Sequence, residues 1–361
     1  MGAAAVEPAI GLAVGRGTGP ELAAVFERVL AGISGAYGTT VDLIRSDRTY
    51  HSYVSLKTDA EAESVREITQ DDADHYTRFC RTLAVAGVPA VFRTAINAQS
   101  LYLVRRRLQA AKVDAIPTPE GSLLLVRDQA QGFYTGENTH VPGALVRTMA
   151  FSREITEKVI TLALRRARQE WPDGRIDEIV MAYKFHLLDG ALEEWVSESA
   201  ARHGVHIGLY QPDTVNRNLI ERGPRPRTVI IAGNEWADIM HVVLLDRFGS
   251  ERQENRCTEN VYLHPDANGL IEYQTVHGSA DDLAGADKVN PVATIRAAAV
   301  MAERHAGCAG AALMVERGLR ALGRHGVATP DAGGAHSTTT VVDALLDVLE
   351  PESRPVLMAD S

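Results

Sequence analysis

The chain has 361 residues, 45% of them hydrophobic, which is enough for one large domain or two moderate ones with proper cores. Its formal net charge of −10 argues against nucleic acid as the main partner, because phosphate binding needs a basic surface. Cys80, Cys257 and Cys308 are far apart, which argues against a disulfide framework or a zinc site. We therefore expect a cytoplasmic protein, and no apolar run is long enough to span a membrane.

The first segment reads as a strand, a turn and a helix. Residues 9–14 form a short apolar run, and the glycine-rich stretch 15–21 leads into the helical sequence LAAVFERVLAGI. Such a turn is more often structural than functional, so by itself it identifies no site.

A helix with three adjacent arginines, 105–107, follows a buried strand-like run that starts near Val85. Three arginines in a row are usually a solvated face. Because neighbouring positions on a helix point about 100° apart, at most one or two of them face a pocket.

The next strand, SLLLV, ends in Arg127 and is followed by Tyr134 between two glycines. A tyrosine there is either a packing aromatic in a hairpin or a reactive group near Arg127. Residues 152–171 predict an amphipathic helix with Ser152 as its cap.

Single charged residues then follow predicted strands. Lys184 comes directly after the buried strand EIVMAY, which makes it a candidate base. Asp213 and Asp238 each stand near a predicted helix start, where a lone carboxylate is most often a cap or turn residue.

Residues 276–291, VHGSADDLAGADKVNP, combine glycines, acidic residues and a helix start. Gly278 and Gly285 allow a ligand to approach the backbone, and Asn290 and Pro291 suit the beginning of the helix that follows. Asp282 is a short acceptor of the kind that binds ribose hydroxyls and repels a 2′-phosphate. On local physics alone, a plain loop before a capped helix explains the pattern equally well.

HGSADDLAG followed by NP resembles the cofactor loop of the isocitrate and 3-isopropylmalate dehydrogenase family, whose usual form is HGSAPDIAG then NP. Other stretches resemble that family in the same order: GRGTGPE its GDGIGPE, VRDQAQGFYTG its VREN and GxYxG segment, and TPDAGG its closing element. The chain is thus similar to a divergent member of these metal-dependent β-decarboxylating dehydrogenases.

The resemblance implies an α/β, isopropylmalate dehydrogenase-like two-domain fold with a long mixed sheet, and not a Rossmann fold. Residues 1–98 and 256–361 would form the first, cofactor-side domain. Residues 99–255 would form the second domain, with the dimer interface and the metal ligands. In such homodimers both copies contribute to one active site, so Lys184 and Asp213 would come from the neighbour.

The resemblance also assigns roles to residues. Tyr134 and Lys184 would be catalytic, and Asp213 and Asp238 would bind Mg²⁺ or Mn²⁺. Substrate binding would fall to Arg105, Arg127, Leu101 and Tyr102. NAD would be bound by His277, Gly278, Ser279, Ala280, Asp282 and Asn290.

Several positions depart from the family pattern. An ungapped count places Ala115 where the second of three substrate-clamping arginines normally stands, and Lys112 is the nearest cation that can replace it. Arg16, His186 and Val242 replace an aspartate, an asparagine and a third metal-assisting aspartate.

The reaction implied is NAD-dependent oxidation and decarboxylation of a malate-type 2-hydroxy acid other than isocitrate or isopropylmalate. Two alternatives remain: a noncatalytic or regulatory subunit of the same fold, and a dehydrogenase for a phosphonate-type or tartrate-type analogue.

Overall fold

The structure of the chain is a computed structural model that describes residues 7–59, 64–119, 121–249, 255–275 and 278–349. The helices and strands, in chain order, are β1 (Ala9–Gly15), α1 (Gly19–Ala36), β2 (Asp42–Tyr50), α2 (Tyr53–Asp59), α3 (Val65–Val85), β3 (Ala90–Arg93), α4 (Ala98–Arg107), β4 (Ala110–Thr118), β5 (Gly121–Asp128), β6 (Glu137–Val141), β7 (Ala144–Thr148), α5 (Arg153–Glu170), β8 (Glu178–Ala182), α6 (Ala191–His203), β9 (Gly208–Tyr210), α7 (Pro212–Arg222), β10 (Thr228–Gly233), α8 (Asn234–Phe248), β11 (Cys257–Tyr262), β12 (Ile271–Thr275), α9 (Val292–His305), α10 (Ala311–Arg324) and α11 (Thr338–Leu349).

The described residues fall into two compact units. Unit 1 is drawn from residues 1–101, 254–258 and 269–361, and unit 2 from residues 102–253 and 259–268. The predicted division had put residues 259–268 in the first domain. They belong to unit 2 because β11 pairs with β4, with Val261 opposite Ala111.

Unit 1 is a parallel α/β structure with the strand order β2, β1, β3, β12. Helix α1 buries Leu22, Phe26, Val29 and Ile33, which recur at the three- and four-residue spacing of one helix face. The ring of Phe26 stacks on that of Phe92 in β3, with centroids 4.2 Å apart. Helices α9, α10 and α11 complete this core.

Unit 2 has the strand order β11, β4, β5, β10, β8, β9. Strand β4 is antiparallel to both of its neighbours, β11 and β5, and β10, β8 and β9 continue parallel to β5. Helices α7 and α8 pack on the sheet through Leu219, Met240 and Leu244. Strands β6 and β7 form a separate antiparallel hairpin.

The mixed α/β fold agrees with the predicted fold class, and most predicted elements form within a few residues of their expected bounds. Ser152 is the N-cap residue of α5, as predicted, but its side chain makes no capping hydrogen bond. Its backbone N–H instead donates to Oε1 of Gln131 at 2.8 Å. In the part of the chain that is described, no helix is both long and apolar enough to cross a membrane.

Candidate active site

Arg127 is the centre of a polar cluster in unit 2. It is the penultimate residue of β5, which lies between β4 and β10, and its side chain is buried. Its Nε donates to Oδ1 of Asn234 at 2.8 Å, and its guanidinium forms an ion pair with Asp238. Because Asn234 and Asp238 are four residues apart on α8, one face of that helix fixes the guanidinium.

Tyr134 joins this cluster through Asp238. It lies in a single 3₁₀ turn, Phe133–Thr135, and its hydroxyl donates to Oδ2 of Asp238 at 3.3 Å. Partial burial, and then the charge of Asp238, raise the pKa of Tyr134 above its usual value. The hydroxyl therefore stays protonated at neutral pH, which is the state of a proton donor.

Helix α4 contributes Tyr102 and Arg105. The Tyr102 ring lies 5.1 Å from that of Tyr134, and the Arg105 guanidinium carbon lies 5.5 Å from the Tyr102 centroid. Arg105 is buried, whereas Arg106 is exposed and pairs with Glu137. Leu101, the other predicted substrate contact on α4, is also buried.

The register of β4 shows which residue stands beside Arg127. Lys112 lies directly opposite Arg127 in the antiparallel pair, whereas Ala115 lies opposite Leu124. Ala115, the position that the ungapped count reaches, therefore does not stand beside Arg127, and the residue that does is a lysine. Lys112 is buried, and Arg105 and Arg127 are close enough to act on its charge.

Sequence reasoning missed a buried pair next to Lys112. His241 Nε2 lies 2.6 Å from Oδ2 of Asp114, and both side chains are at most 8% exposed. Asp114 is two residues after Lys112 and so shares its face of β4. The alternation along β4 was visible in the sequence, but the partner on α8 is 127 residues away and gave no local signal.

Lys184 and Asp213 form a second group in unit 2. The amine of Lys184 donates to Oδ1 of Asp213 at 2.7 Å and to Oε1 of Gln211 at 3.1 Å. It also lies 5.7 Å from the ring of Trp236 on α8. The ion pair with Lys184 lowers the pKa of the Asp213 carboxyl. His186, in the turn after Lys184, is exposed.

The predicted metal ligands do not form a complete site within one chain. Carboxylate oxygens suit Mg²⁺ and Mn²⁺, and Asp213 and Asp238 provide them. Each, however, is paired with a cation, and no three His, Cys, Asp or Glu side chains of the described residues are grouped to hold a metal. Val242, at the place of the family's third aspartate, is 53% exposed.

The predicted cofactor loop lies in unit 1, and its His277 is outside the described residues. A side chain at Gly278 would meet only open space, so the backbone is accessible there. Ala280 adopts a left-handed φ of 41°, and the carboxylate of Asp282 is exposed. Asn290 Oδ1 accepts the N–H of Val292, the first residue of α9, at 3.0 Å.

The glycine-rich turn after β1 holds this loop in place. The Ser279 carbonyl accepts hydrogen bonds from the N–H and the hydroxyl of Thr18, both at 2.9 Å. Gly17 has a φ of 74°, and a Cβ there would come within 2.6 Å of the same carbonyl oxygen. Asp281, which replaces the family's proline, accepts the Ser52 hydroxyl at 2.6 Å.

The profile described as isocitrate/isopropylmalate dehydrogenase matches residues 97–345. The chain is 28% identical over 247 residues to the 3-isopropylmalate/3-methylmalate dehydrogenase of Methanocaldococcus jannaschii, covering 66% of this chain and 70% of that protein. It is 26% identical over 353 residues to the isocitrate/homoisocitrate dehydrogenase of Thermus thermophilus, covering 93% and 97%.

Solved structures show the same fold at lower identity. A β-decarboxylating dehydrogenase from Thermococcus kodakarensis matches with a TM-score of 0.64 and 21% identity, over 98% of both chains. An isocitrate dehydrogenase from Methylococcus capsulatus matches with a TM-score of 0.66 and 18% identity, over 95% of this chain and 99% of that one.

Proposed function

This chain belongs to the isocitrate and isopropylmalate dehydrogenase family, whose members are decarboxylating dehydrogenases of hydroxy acids, and we propose that it shares this chemistry. In this proposal it oxidises a malate-type 2-hydroxy acid with NAD and releases the β-carboxylate as carbon dioxide. The observation that carries the proposal is the cluster around Arg127. Buried cations, a protonated tyrosine and a carboxylate lie together there, which suits an anionic substrate that must also receive a proton.

The protein groups have distinct roles in this proposal. Arg105 and Arg127 hold carboxylates by charge-assisted hydrogen bonds. Lys184 takes the proton of the C2 hydroxyl, and Tyr134 gives a proton to the carbon from which the carboxylate has left. Asp213 and Asp238 would hold the divalent ion, which would supply Lewis acidity for the C2 oxygen, and bound NAD would supply the hydride acceptor.

We propose a homodimer with a shared site, because Lys184 pairs with Asp213 and, among the described residues, neither forms a hydrogen bond or ion pair with Arg127, Tyr134 or Asp238. Exposed apolar side chains in unit 2 support such an interface. They lie on the β6–β7 hairpin and on α8: Val141, Leu145, Val146, Ile239 and Val242. We propose a cytoplasmic location, in keeping with the absence of a disulfide among the described residues.

We propose an acid other than isocitrate or isopropylmalate, because Ala115 stands at the counted position of a clamping arginine and the cation beside Arg127 is Lys112. An ammonium is a point charge and cannot bind a carboxylate through the two parallel hydrogen bonds that a guanidinium makes. A tartrate-type or phosphonate-type acid remains the alternative substrate. A noncatalytic subunit is the alternative function, which the departure at Val242 favours.

The test is NADH formation by the purified protein with Mn²⁺ and a panel of acids: isocitrate, isopropylmalate, homoisocitrate, tartrate, malate and phosphonate analogues. We expect turnover of one of the last three classes and slow or no turnover of the first three. Efficient use of isocitrate or isopropylmalate would refute the assignment of an unusual substrate. Absence of NADH with every acid would favour the noncatalytic subunit.

A further inference from the structure

A second cavity of unit 2 lies at the amino-terminal edge of its parallel strands. Its volume is about 390 Å³, within the range of roughly 300–1,000 Å³ that small-molecule sites occupy. The residues that line it come from β8 and β9 and from the segments just before β8, β9 and β10. Arg127 instead lies near the carboxyl end of β5, and Lys184 follows that of β8. The cavity is therefore separate from the candidate active site.

One wall of the cavity is a single face of β8 and β9. Glu178 and Val180 alternate along β8 and so share a face, as do Gly208 and Tyr210 along β9. Val180 lies opposite Gly208 in the parallel pair, which places both pairs on the same side of the sheet. Helix α7 packs on this side, and the loop that follows it brings Arg225 to the cavity.

The ring of Tyr210 lies at the cavity because residue 208 is a glycine. A Cβ at Gly208 would come within 2.5 Å of the Tyr210 ring, which is closer than side-chain atoms pack. The ring therefore lies back along β9, over residue 208 and toward the amino-terminal edge. Together with Val180 and Val205 it gives the cavity an apolar surface. A ligand with an apolar part can pack there.

Two opposite charges at the cavity have no protein partner. Glu178 is half-buried and Arg225 is exposed. Among the residues that the structure describes, neither side chain makes a hydrogen bond or an ion pair with another. The neighbouring Asp177, by contrast, accepts a hydrogen bond from Arg175 at 2.9 Å. Carboxylates that are partly removed from water are usually paired. A ligand cation would provide the partner that Glu178 lacks.

We propose that this cavity binds the zwitterion of an apolar α-amino acid. Glu178 accepts hydrogen bonds from the ammonium, and Arg225 donates hydrogen bonds to the carboxylate. The side chain of the ligand packs against Val180, Val205 and the ring of Tyr210. An anion alone or an amine alone would leave one of the two protein charges without a partner. The proposal does not depend on the proposed function, because the cavity includes none of the residues assigned to catalysis.

The experiment measures leucine binding to the whole protein by calorimetry, without NAD or metal. We expect a Kd in the micromolar to millimolar range. Isocaproate, which lacks the ammonium, and isopentylamine, which lacks the carboxylate, should each bind about 10-fold more weakly or worse, as for the loss of a hydrogen bond between charged groups. Equal or tighter binding of either analogue would overturn the proposal. A leucine Kd above about 10 mM would overturn it as well.

Single substitutions locate the leucine site. Glu178→Gln and Arg225→Met should each weaken leucine binding about 10- to 100-fold. The matched controls are Glu221→Gln and Arg222→Met, at exposed positions of α7 that do not line the cavity. Both controls should bind leucine as the wild type does. Wild-type affinity in either Glu178→Gln or Arg225→Met would overturn the proposal, because leucine would then bind elsewhere.

The analogues separate recognition from a structural role. In Glu178→Gln, leucine should lose its advantage over isocaproate and keep its advantage over isopentylamine, because only the partner of the ammonium is gone. Arg225→Met should show the reverse pattern. A variant that weakened all three ligands equally would overturn the proposal, since it would have damaged the cavity as a whole. Arg225 is exposed, so Arg225→Met provides this test even if Glu178→Gln fails to fold.

Discussion

Lys112 and Arg127 face each other as a directly paired couple on two antiparallel strands, β4 and β5. Both are buried, so two positive charges lie side by side in the core of unit 2. Like charges directly opposite each other destabilise a sheet. The pair is therefore an energetic cost that a bound anion would relieve.

The first prediction is a pH-dependent difference in stability between the wild type and Lys112→Met. The usual lysine pKa of 10.5 falls to about 8 here, so the folded protein loses this proton before the unfolded chain does. The destabilisation by Lys112 is complete below pH 8 and disappears as the pH rises toward 10.5. Its full size is roughly 3 kcal/mol. The charged or titratable groups near Lys112 are Asp114 on β4, Arg127 on β5, Arg105 on α4, and Asp238 and His241 on α8.

Denaturant unfolding at several pH values between 7 and 10.5 measures this difference. Lys112→Met should be the more stable protein at pH 7, and its advantage should shrink as the pH rises. A constant difference over this range would show that the burial of Lys112 does not affect its protonation.

The second prediction concerns Tyr134→Phe. Loss of the hydroxyl should reduce turnover about 10²- to 10⁴-fold, the usual contribution of general acid catalysis, while the fold is preserved. The phenylalanine ring can keep the packing against Tyr102. The measurement is carbon dioxide and NADH formation with the acid of the test panel that the wild type turns over. Phe133→Leu, which changes the exposed neighbour in the same turn, is the matched control. Equal rates for Tyr134→Phe and the wild type would remove this residue from the mechanism.

The third prediction is a preference for NAD over NADP that depends on Asp282. Its exposed carboxylate would repel a 2′-phosphate and accept ribose hydroxyls. Asp282→Asn should therefore raise KM for NAD and lower KM for NADP. Asp42→Asn, at an exposed position on β2, should change neither value. If the ratio of KM for NAD to KM for NADP is the same in Asp282→Asn and the wild type, the role of Asp282 in the preference is refuted.

The fourth prediction is a dependence on Mg²⁺ or Mn²⁺ that Asp238→Asn weakens. The carboxylate of Asp238 is held by Arg127 and Tyr134, so a metal must compete with these partners and should bind with low affinity. Excess chelator should abolish activity, and the metal concentration for half-maximal activity should rise in Asp238→Asn. Asp246→Asn, an exposed position on the same helix, serves as the control. Full activity in chelator would contradict this prediction.

The local parts of the fold and site were predictable, and the long-range contacts were not. Lys184 was expected at the end of a strand because the apolar run EIVMAY is continuous, and it follows β8 in the structure. Helix geometry limited the arginines that face a pocket to one or two, the resemblance to the family selected Arg105, and Arg105 is the buried one of the three. The functional roles of both residues stay predictions.

The sequence did not predict the register in which strands β4 and β5 pair. Counting along the chain led to Ala115, whereas the partner of Arg127 is set by where β4 and β5 begin to pair. His241 and Asp114 meet only because α8 packs on β4, and no spacing in the sequence encodes that contact. Ser152 lies at the predicted N-cap position, but the sequence did not show that its hydroxyl makes no capping hydrogen bond.

The fifth prediction concerns the core of unit 1. Arg93 Nε donates to Oε1 of Glu272 at 2.8 Å, and the Tyr76 hydroxyl donates to Oε2 at 2.7 Å. All three side chains are buried. Removing one charge from such a pair leaves the other in the core without compensation, at a cost of roughly 3–5 kcal/mol. Glu272→Gln should therefore lower the free energy of unfolding by about that amount.

The matched control is the exposed pair of Arg28 and Asp343, whose side chains are 46% and 52% accessible. Asp343→Asn should change the free energy of unfolding by less than about 1 kcal/mol, because water already solvates both charges. Denaturant titration of both variants at neutral pH gives the two values. A loss of similar size in the two proteins would mean that the Arg93–Glu272 pair is hydrated in solution. The large value expected for Glu272→Gln depends on that pair being enclosed by the core of unit 1.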